Sequence, residues 1–222
     1  MKSKSEKRSP LKEKPLRYAG QSLGEQIEDK ALNLAFSWIG LPVLITLLTI
    51  DDWIRYLNPQ PSPKPIAGTV VAITLLIIGV FKVIKGKREI DRLKMGRDGE
   101  KLVAEGLQEM IRQGAAVLHD IQGDKFNIDH VVVSKHGIFL IETKTYSKPI
   151  NKETTITSDN ENVYVDGMAI ERNPINQVKA LTGWLQNLLK ESTGKSFKIR
   201  PVILFPGWYT DKTKSGADIW IH

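Results

Sequence analysis

Cysteine is absent from all 222 residues, which excludes a disulfide framework, a thiolate metal site and a cysteine nucleophile. Histidine is scarce. His119, His130 and His136 fall on separate predicted elements with no H-x-x-x-H or comparable ligand spacing, so a zinc centre is not expected. Acidic residues are outnumbered, 25 against 32 Lys and Arg, leaving a formal charge of +7 and a pI near 9.4. Such a balance suits an anionic partner, although much of the excess lies beside two apolar stretches near the N-terminus, where membrane topology is its first explanation and nucleic acid the second.

Those two stretches lack charge of either sign. Ala31 to Ile50 is uncharged throughout, and a helix of about 20 residues at ~1.5 Å per residue spans the ~30 Å hydrocarbon layer of a bilayer. Ile66 to Phe81 is also uncharged, and it reaches about 28 Å if Lys82 snorkels and the run continues through Ile84. Pro42, Gly40, Gly68 and Gly79 fit membrane helices, and Trp38, Trp53 and Tyr56 lie where amphipathic rings prefer the interface. The competing reading is a buried helical hairpin of a soluble protein. Basic residues flank the pair on the outside, Lys2 through Lys30 before it and Lys82 through Arg97 after it, whereas the connector Asp51 to Pro65 holds only Arg55 and Lys64. The sequence therefore predicts a two-span hairpin, about 31–50 and 66–84, in the cell membrane with both termini cytoplasmic. Met1 to Pro15 has the composition of a disordered arm. Residues 1–30 form a basic tail that carries no expected secretory cleavage. Gly20 to Gln26 loosely echoes Gly96 to Glu100, as a short amphipathic helix on the membrane surface would.

Residues 86–95 are charged and read as a linker, with a separate α/β domain over 96–222. Its pattern predicts a helix from about Glu100 to Gln113 with Val103, Leu107, Met110 and Ile111 on one face and Gly114 as its stop. Strands follow at Val117–Ile121, Ile128–Val133 and Ile138–Lys144, the last two joined through Ser134 to Gly137 as an antiparallel hairpin. Short strands over 154–170 turn at Asp166-Gly167. A helix capped by Asn173, with Pro174 at its first position, buries Val178, Leu181, Leu185 and Leu188 until Gly194. Further strands are Arg200–Phe205 and Ile219–Ile221.

The chemistry lies at the end of the third strand. Gly137 to Ile141 is apolar on both faces, the mark of a central strand covered on each side, yet it runs into Glu142-Thr143-Lys144. Alternation points Glu142 and Lys144 the same way. With Asp129 on the preceding strand, two carboxylates and an amine converge. Their oxygens suit a hard divalent cation, and Lys144 can orient a water or steady a phosphate oxygen. His130 faces the opposite side of its strand from Asp129 and reads as a packed core residue. Glu100 reads either as a first-turn acid favoured by the helix dipole or as a third acid of the site. Gln177, from spacing alone, is helix surface. Trp184 reads as core, and Trp208 and Tyr209 are candidates for base stacking.

The order Gly96-Arg97-Asp98-Gly99-Glu100, Ile128-Asp129-His130-Val131-Val132-Val133, Gly137-Ile138-Phe139 with Ile141-Glu142-Thr143-Lys144, then Asn173-Pro174-Ile175-Asn176-Gln177 resembles the nuclease-related (NERD) domain. The resemblance runs from about Leu93 to the C-terminus. It implies a PD-(D/E)xK nuclease-like mixed sheet flanked by helices, preceded here by the two-helix hairpin. It also implies a Mg2+- or Mn2+-dependent nuclease acting on DNA, with Asp129, Glu142 and the Thr143 carbonyl holding metal and Lys144 orienting the attacking water and stabilising negative charge. Glu100 would then tune the site, and Gln177 would contact phosphate or position water. Two other classes remain open: a catalytically idle module gripping nucleic acid or protein at the membrane, and a scaffold whose acid–lysine pair is only a buried ion pair.

Overall fold

Residues 21–57 and 65–112 are helical because their apolar runs are long and free of strand-forming alternation. In a computed structural model, which describes residues 16–58, 65–148, 155–159, 161–170, 172–211 and 218–222, α1 (Gln21–Asn33) passes through a π-helical stretch, Leu34–Gly40, into α2 (Leu41–Leu57). The Leu41 N–H reaches back to the Phe36 carbonyl, five residues away, and this wider turn accommodates Pro42, which has no N–H to give. The basic arm 1–15 and residues 59–64 of the connector lie outside the described residues.

α3 (Pro65–Arg112) runs back antiparallel to α1 and α2. Glycine permits the close approach: a Cβ on Gly79 would stand 2.7 Å from the Trp38 carbonyl oxygen, and one on Gly86 would collide with the Leu34 side chain. Lys30 pairs with Glu89 across the hairpin, and the Lys82 ammonium lies 5.0 Å over the Trp38 ring. The continuous helices Gln21–Leu57 and Ile66–Arg112 are both long and apolar enough to cross a membrane. Leu44, Leu47, Leu48, Ile73, Ile77 and Phe81 are all more than half exposed, whereas a core helix of a soluble protein would bury them.

Two expectations are corrected here. The charged stretch 86–95 is helix, not linker, and no new helix begins at Glu100: one helix carries the second apolar run straight into the α/β domain. Gly86-Lys-Arg-Glu-Ile-Asp-Arg-Leu-Lys-Met contains no proline, and Leu34 packing offsets the weakness of Gly86 in helix. The segment Gly20 to Gln26 does not form a separate short helix. It begins α1 and meets α3 through Leu23 and β1 through Ser22, with Arg17 just ahead of it also on β1.

Beyond Gly114, whose φ of 89° stops α3, come β1 (Ala116–Gln122), β2 (Asn127–Ser134), β3 (Gly137–Thr143), β4 (Thr155–Ser158), β5 (Val163–Val165) and β6 (Met168–Ala169). Then follow α4 (Pro174–Thr193), β7 (Ile199–Leu204), β8 (Tyr209–Asp211) and β9 (Trp220–Ile221). The main sheet has the order β1-β2-β3-β7-β9, antiparallel from β1 to β3 and parallel from β3 onward. The apolar β3 is thus its centre. A smaller sheet, β6-β5-β4-β8, turns at Asp166-Gly167, both in the left-handed region that a tight hairpin needs. The Asn173 side chain accepts from the Ile175 N–H at 3.0 Å to cap α4, and Gly194 ends it at φ 70°.

Alternation divides the core between the two faces of the sheet. Val131, Leu140 and Ile203 meet Val178, Leu181 and Leu185 of α4 on one face, while Val132, Ile141 and Val202 meet Val103 and Leu107 of α3 on the other. Trp184 belongs to the α4 core, edge-on to Phe126. Leu188 and Ile111, expected in the buried stripes, are 38% and 39% exposed because each lies near the far end of its helix. The two helices approach the same end of β3 from opposite faces, and that end is where the charge lies.

Candidate active site

The β2–β3 register pairs His130 with Ile141, so one step further Asp129 stands opposite Glu142, on the α4 face. The Thr143 N–H donates to Asp129 Oδ2 at 2.7 Å. Lys144 follows the strand with its N–H bound to the Leu204 carbonyl, and its Nζ donates to Glu142 Oε1 at 2.7 Å and to Gln177 Oε1 at 2.9 Å. Gln177 Nε2 donates to that same Glu142 oxygen at 2.6 Å. Glu142, Lys144 and Gln177 therefore form a closed triangle. Gln177, helix surface by spacing alone, faces the charged end of the sheet because the α4 cap aims its first turn there.

Glu100 arrives from the other side. Gly99 lies so close to Thr145 that a Cβ would collide with its methyl, and this contact brings the α3 backbone against the end of β3. Glu100 is not a first-turn acid, since α3 begins at Pro65, and with Asp129, Glu142, Lys144 and Gln177 it lines one cavity of about 440 Å³. Asn127, Arg172, Tyr146 and Leu23 line it too. Asn127 was legible in principle, being two residues before Asp129 on the same strand face, whereas Arg172 precedes a helix cap and carries no local signal.

The three carboxylates, each 6% exposed or less, crowd one another. Burial pushes Glu100 up to about 7, with repulsion from Asp120 and Glu142 adding to it. Burial and the charges of Glu142 and Glu100 hold Asp129 well above its ordinary value. Burial raises Glu142 as well, against the pull of Lys144 and Gln177. Among the described residues no group of three or more His, Asp or Glu is set closely enough to hold a metal by itself. The donors nevertheless fit a hard divalent cation. All are oxygens, and Glu100 Oε2 and Glu142 Oε2 are buried with no partner among the described residues.

The histidines stand apart. His130, fully buried, meets His119 with Nδ1 to Nδ1 at 2.8 Å, and burial followed by the His119 charge pulls its pKa down to about 3. It is neutral core, as its strand face predicts.

A family model described as the nuclease-related domain matches residues 95–206, half of the chain. An uncharacterized protein of Bacillus anthracis is 33% identical to this chain over 84 residues, which cover 35% of this chain and 39% of that protein. The chain thus spans well under half the length of this curated relative. No solved structure matches.

Proposed function

Because this chain belongs to the nuclease-related domain family, we propose that it is a membrane-anchored nuclease that hydrolyses phosphodiester bonds of DNA at the cytoplasmic face. The observation that supports this reading most is the triangle of Glu142, Lys144 and Gln177 at the end of a buried central strand, with Asp129 opposite and Glu100 beside it. Burying that much like charge costs stability, so a fold that keeps it has a use for it.

Asp129 and Glu142, with the Thr143 carbonyl, would hold the cation, Mg2+ or Mn2+; when bound, it supplies Lewis-acid stabilisation of charge on the phosphate. Lys144 orients the attacking water and its ammonium balances charge gathering on the phosphorane oxygens as the P–O bond to the leaving group breaks. Gln177 keeps Lys144 and Glu142 in register, and the second N–H of its amide can meet a phosphate oxygen once substrate enters. Glu100 adjusts the charge of the site, and Arg172 at the cavity wall offers a fork for the DNA backbone.

Anchoring is part of the proposal: α2 with the π-helical stretch before it, and the first half of α3, cross the bilayer. A second reading, an idle module that grips nucleic acid or protein without turnover, draws support from Lys144 already being paired within its own site. Cleavage of linear, nicked and single-stranded DNA by the full-length protein in detergent, with Mg2+ or Mn2+, separates the two. Turnover lost in Glu142→Ala supports the enzyme. Metal and DNA binding without any cutting replaces it with the binding module, and a protein without metal affinity is a scaffold.

A further inference from the structure

Residues ahead of the first apolar helix reach the carboxylate site, and they lie outside the matched family region 95–206. Asp120 connects them. It is fully buried, with φ at 51°, a left-handed backbone that aspartate tolerates at a cost. The ladder between β1 and β2 pairs His119 with His130 and Ile121 with Ile128 but passes over Asp120, the position opposite Asp129. Backbone pairing therefore lapses beside the proposed metal-binding acid.

Side chains take over there. Asp120 Oδ2 accepts from Arg17 Nε at 2.6 Å and from the Ser22 N–H at 3.0 Å. Asp120 Oδ1 accepts from Ser22 Oγ at 2.5 Å and from Asn127 Nδ2 at 3.1 Å. The same oxygen thus joins the N-terminal turn to Asn127, which lines the cavity two residues before Asp129. The turn also reaches the site directly. Gly20 packs against the backbone and Cγ of Arg97, one helical turn before Glu100, and Leu23 forms part of the cavity wall beside Glu100. Gly20 fits because it has no Cβ, which would stand 2.7 Å from Arg97 Cγ at a φ of 72°.

We propose that the turn Arg17–Leu23 is a positioning element of the carboxylate site, holding the Glu100 turn of α3 through Gly20 against Arg97 and the Asn127–Asp129 end of β2 through Asp120. The site is complete only when the segment before the first apolar helix is docked on the domain that follows the second. The significance of the positioning rests on the nuclease reading; the contacts do not. Arg17 and Ser22 touch no reacting atom and act through Asp120.

The test uses full-length protein in detergent carrying Arg17→Ala, Arg17→Lys or Ser22→Ala, read by thermal midpoint, Mn2+ calorimetry and hydrogen exchange. Arg17→Ala is expected to weaken Mn2+ binding by about ten-fold or more and to speed exchange over residues 119–130, with α4 and β7 exchanging as in wild type. Arg17→Lys keeps the charge and should recover most of the affinity. Ser22→Ala, the milder change, should shift the same two readouts in the same direction should Arg17→Ala fail to fold. Unchanged exchange over 119–130 in a folded variant overturns the proposal, as does uniform loosening with wild-type Mn2+ affinity, which marks a merely structural clamp. Wild type that neither binds Mn2+ nor cuts DNA overturns the nuclease reading instead, and local exchange then decides the positioning claim alone.

Discussion

Glu142 receives two donors on one oxygen and has none on the other, so its role divides by atom: one oxygen is fixed, the other remains to bind. Replacing Glu142 or Asp129 by Ala is expected to lower metal-dependent cleavage by about 10³-fold or more, since a dication left with one carboxylate loses charge balance and geometry together. Lys144→Ala should still bind Mn2+ in calorimetry yet lose about 10²- to 10³-fold in rate. Wild-type cleavage by Glu142→Ala would show the site to be misassigned. The raised carboxyls also set a pH dependence. A folded pKa above the unfolded one means the proton is held more tightly by the native state, so the stabilisation is full below the unfolded value of 4.5 and is lost as pH rises through about 7 for Glu100. Asp129 and Glu142 are raised too and act in the same direction. Asp120, lowered by the hydrogen bonds that overcome its burial, acts only below its ordinary value of 3.8 and leaves this window untouched. Buried His130, lowered to about 3, acts in the opposite direction up to its unfolded value of 6.5, so the thermal midpoint in chelator should fall from about pH 6.5 to about pH 8, and Mn2+ should restore more of it at the higher pH. A midpoint flat across that range in chelator would refute the crowding of the three acids.

At the scale of elements, what was legible in the sequence was whatever depends on local period. Alternation placed Asp129, Glu142 and Lys144 on one strand face, cap chemistry placed Asn173 and Gly194 at the ends of α4, and Asp166-Gly167 announced its turn. The run of α3 through residues 86–95 was not legible that way, because a stretch rich in charge reads equally as linker or as solvated helix; the Leu34 and Leu23 contacts that decide it come from another segment. Asp120 escaped for a second reason. Its left-handed backbone and its partner 103 positions away, Arg17, leave no periodic trace. These long-range contacts predict how the domain tolerates cutting. A chain beginning near residue 93, as the family boundary suggests, lacks Arg17 and Ser22 and leaves the Asp120 charge buried without its cation. Loss of a buried partner costs about 3 kcal/mol, so this truncation should unfold at clearly lower temperature than full-length protein, and Asp120→Asn should recover part of the loss in the truncation while destabilising the full chain. Equal thermal midpoints for truncated and full-length α/β domains would show that the turn contributes nothing to the fold.

On the scale of the whole molecule, and with the proposed anchoring as premise, the continuity of α3 sets the height of the site. Ile84, the end of the second apolar run, and Glu100 belong to one helix, and at ~1.5 Å per residue the ~16 residues between them make a stalk of about 24 Å. α1 runs alongside, tied by the Lys30–Glu89 pair and by Leu34 against Gly86, so the domain cannot swivel on a loose tether. With a Debye length of about 8 Å at physiological salt, headgroup charge is screened at that height, and cleavage should depend little on the anionic lipid content of the vesicle. The proposed orientation rests on the basic flanks. Lys82, Lys85, Lys87 and Arg88 close the second apolar run on the side of the α/β domain, and a positive flank of that kind stays cytoplasmic. A reporter fused at His222 should therefore read cytoplasmic and one inserted near Gln60 external. Release of the full-length protein by carbonate without detergent would remove the membrane hairpin, while reporters on the same side would keep the helices and reject only the crossing.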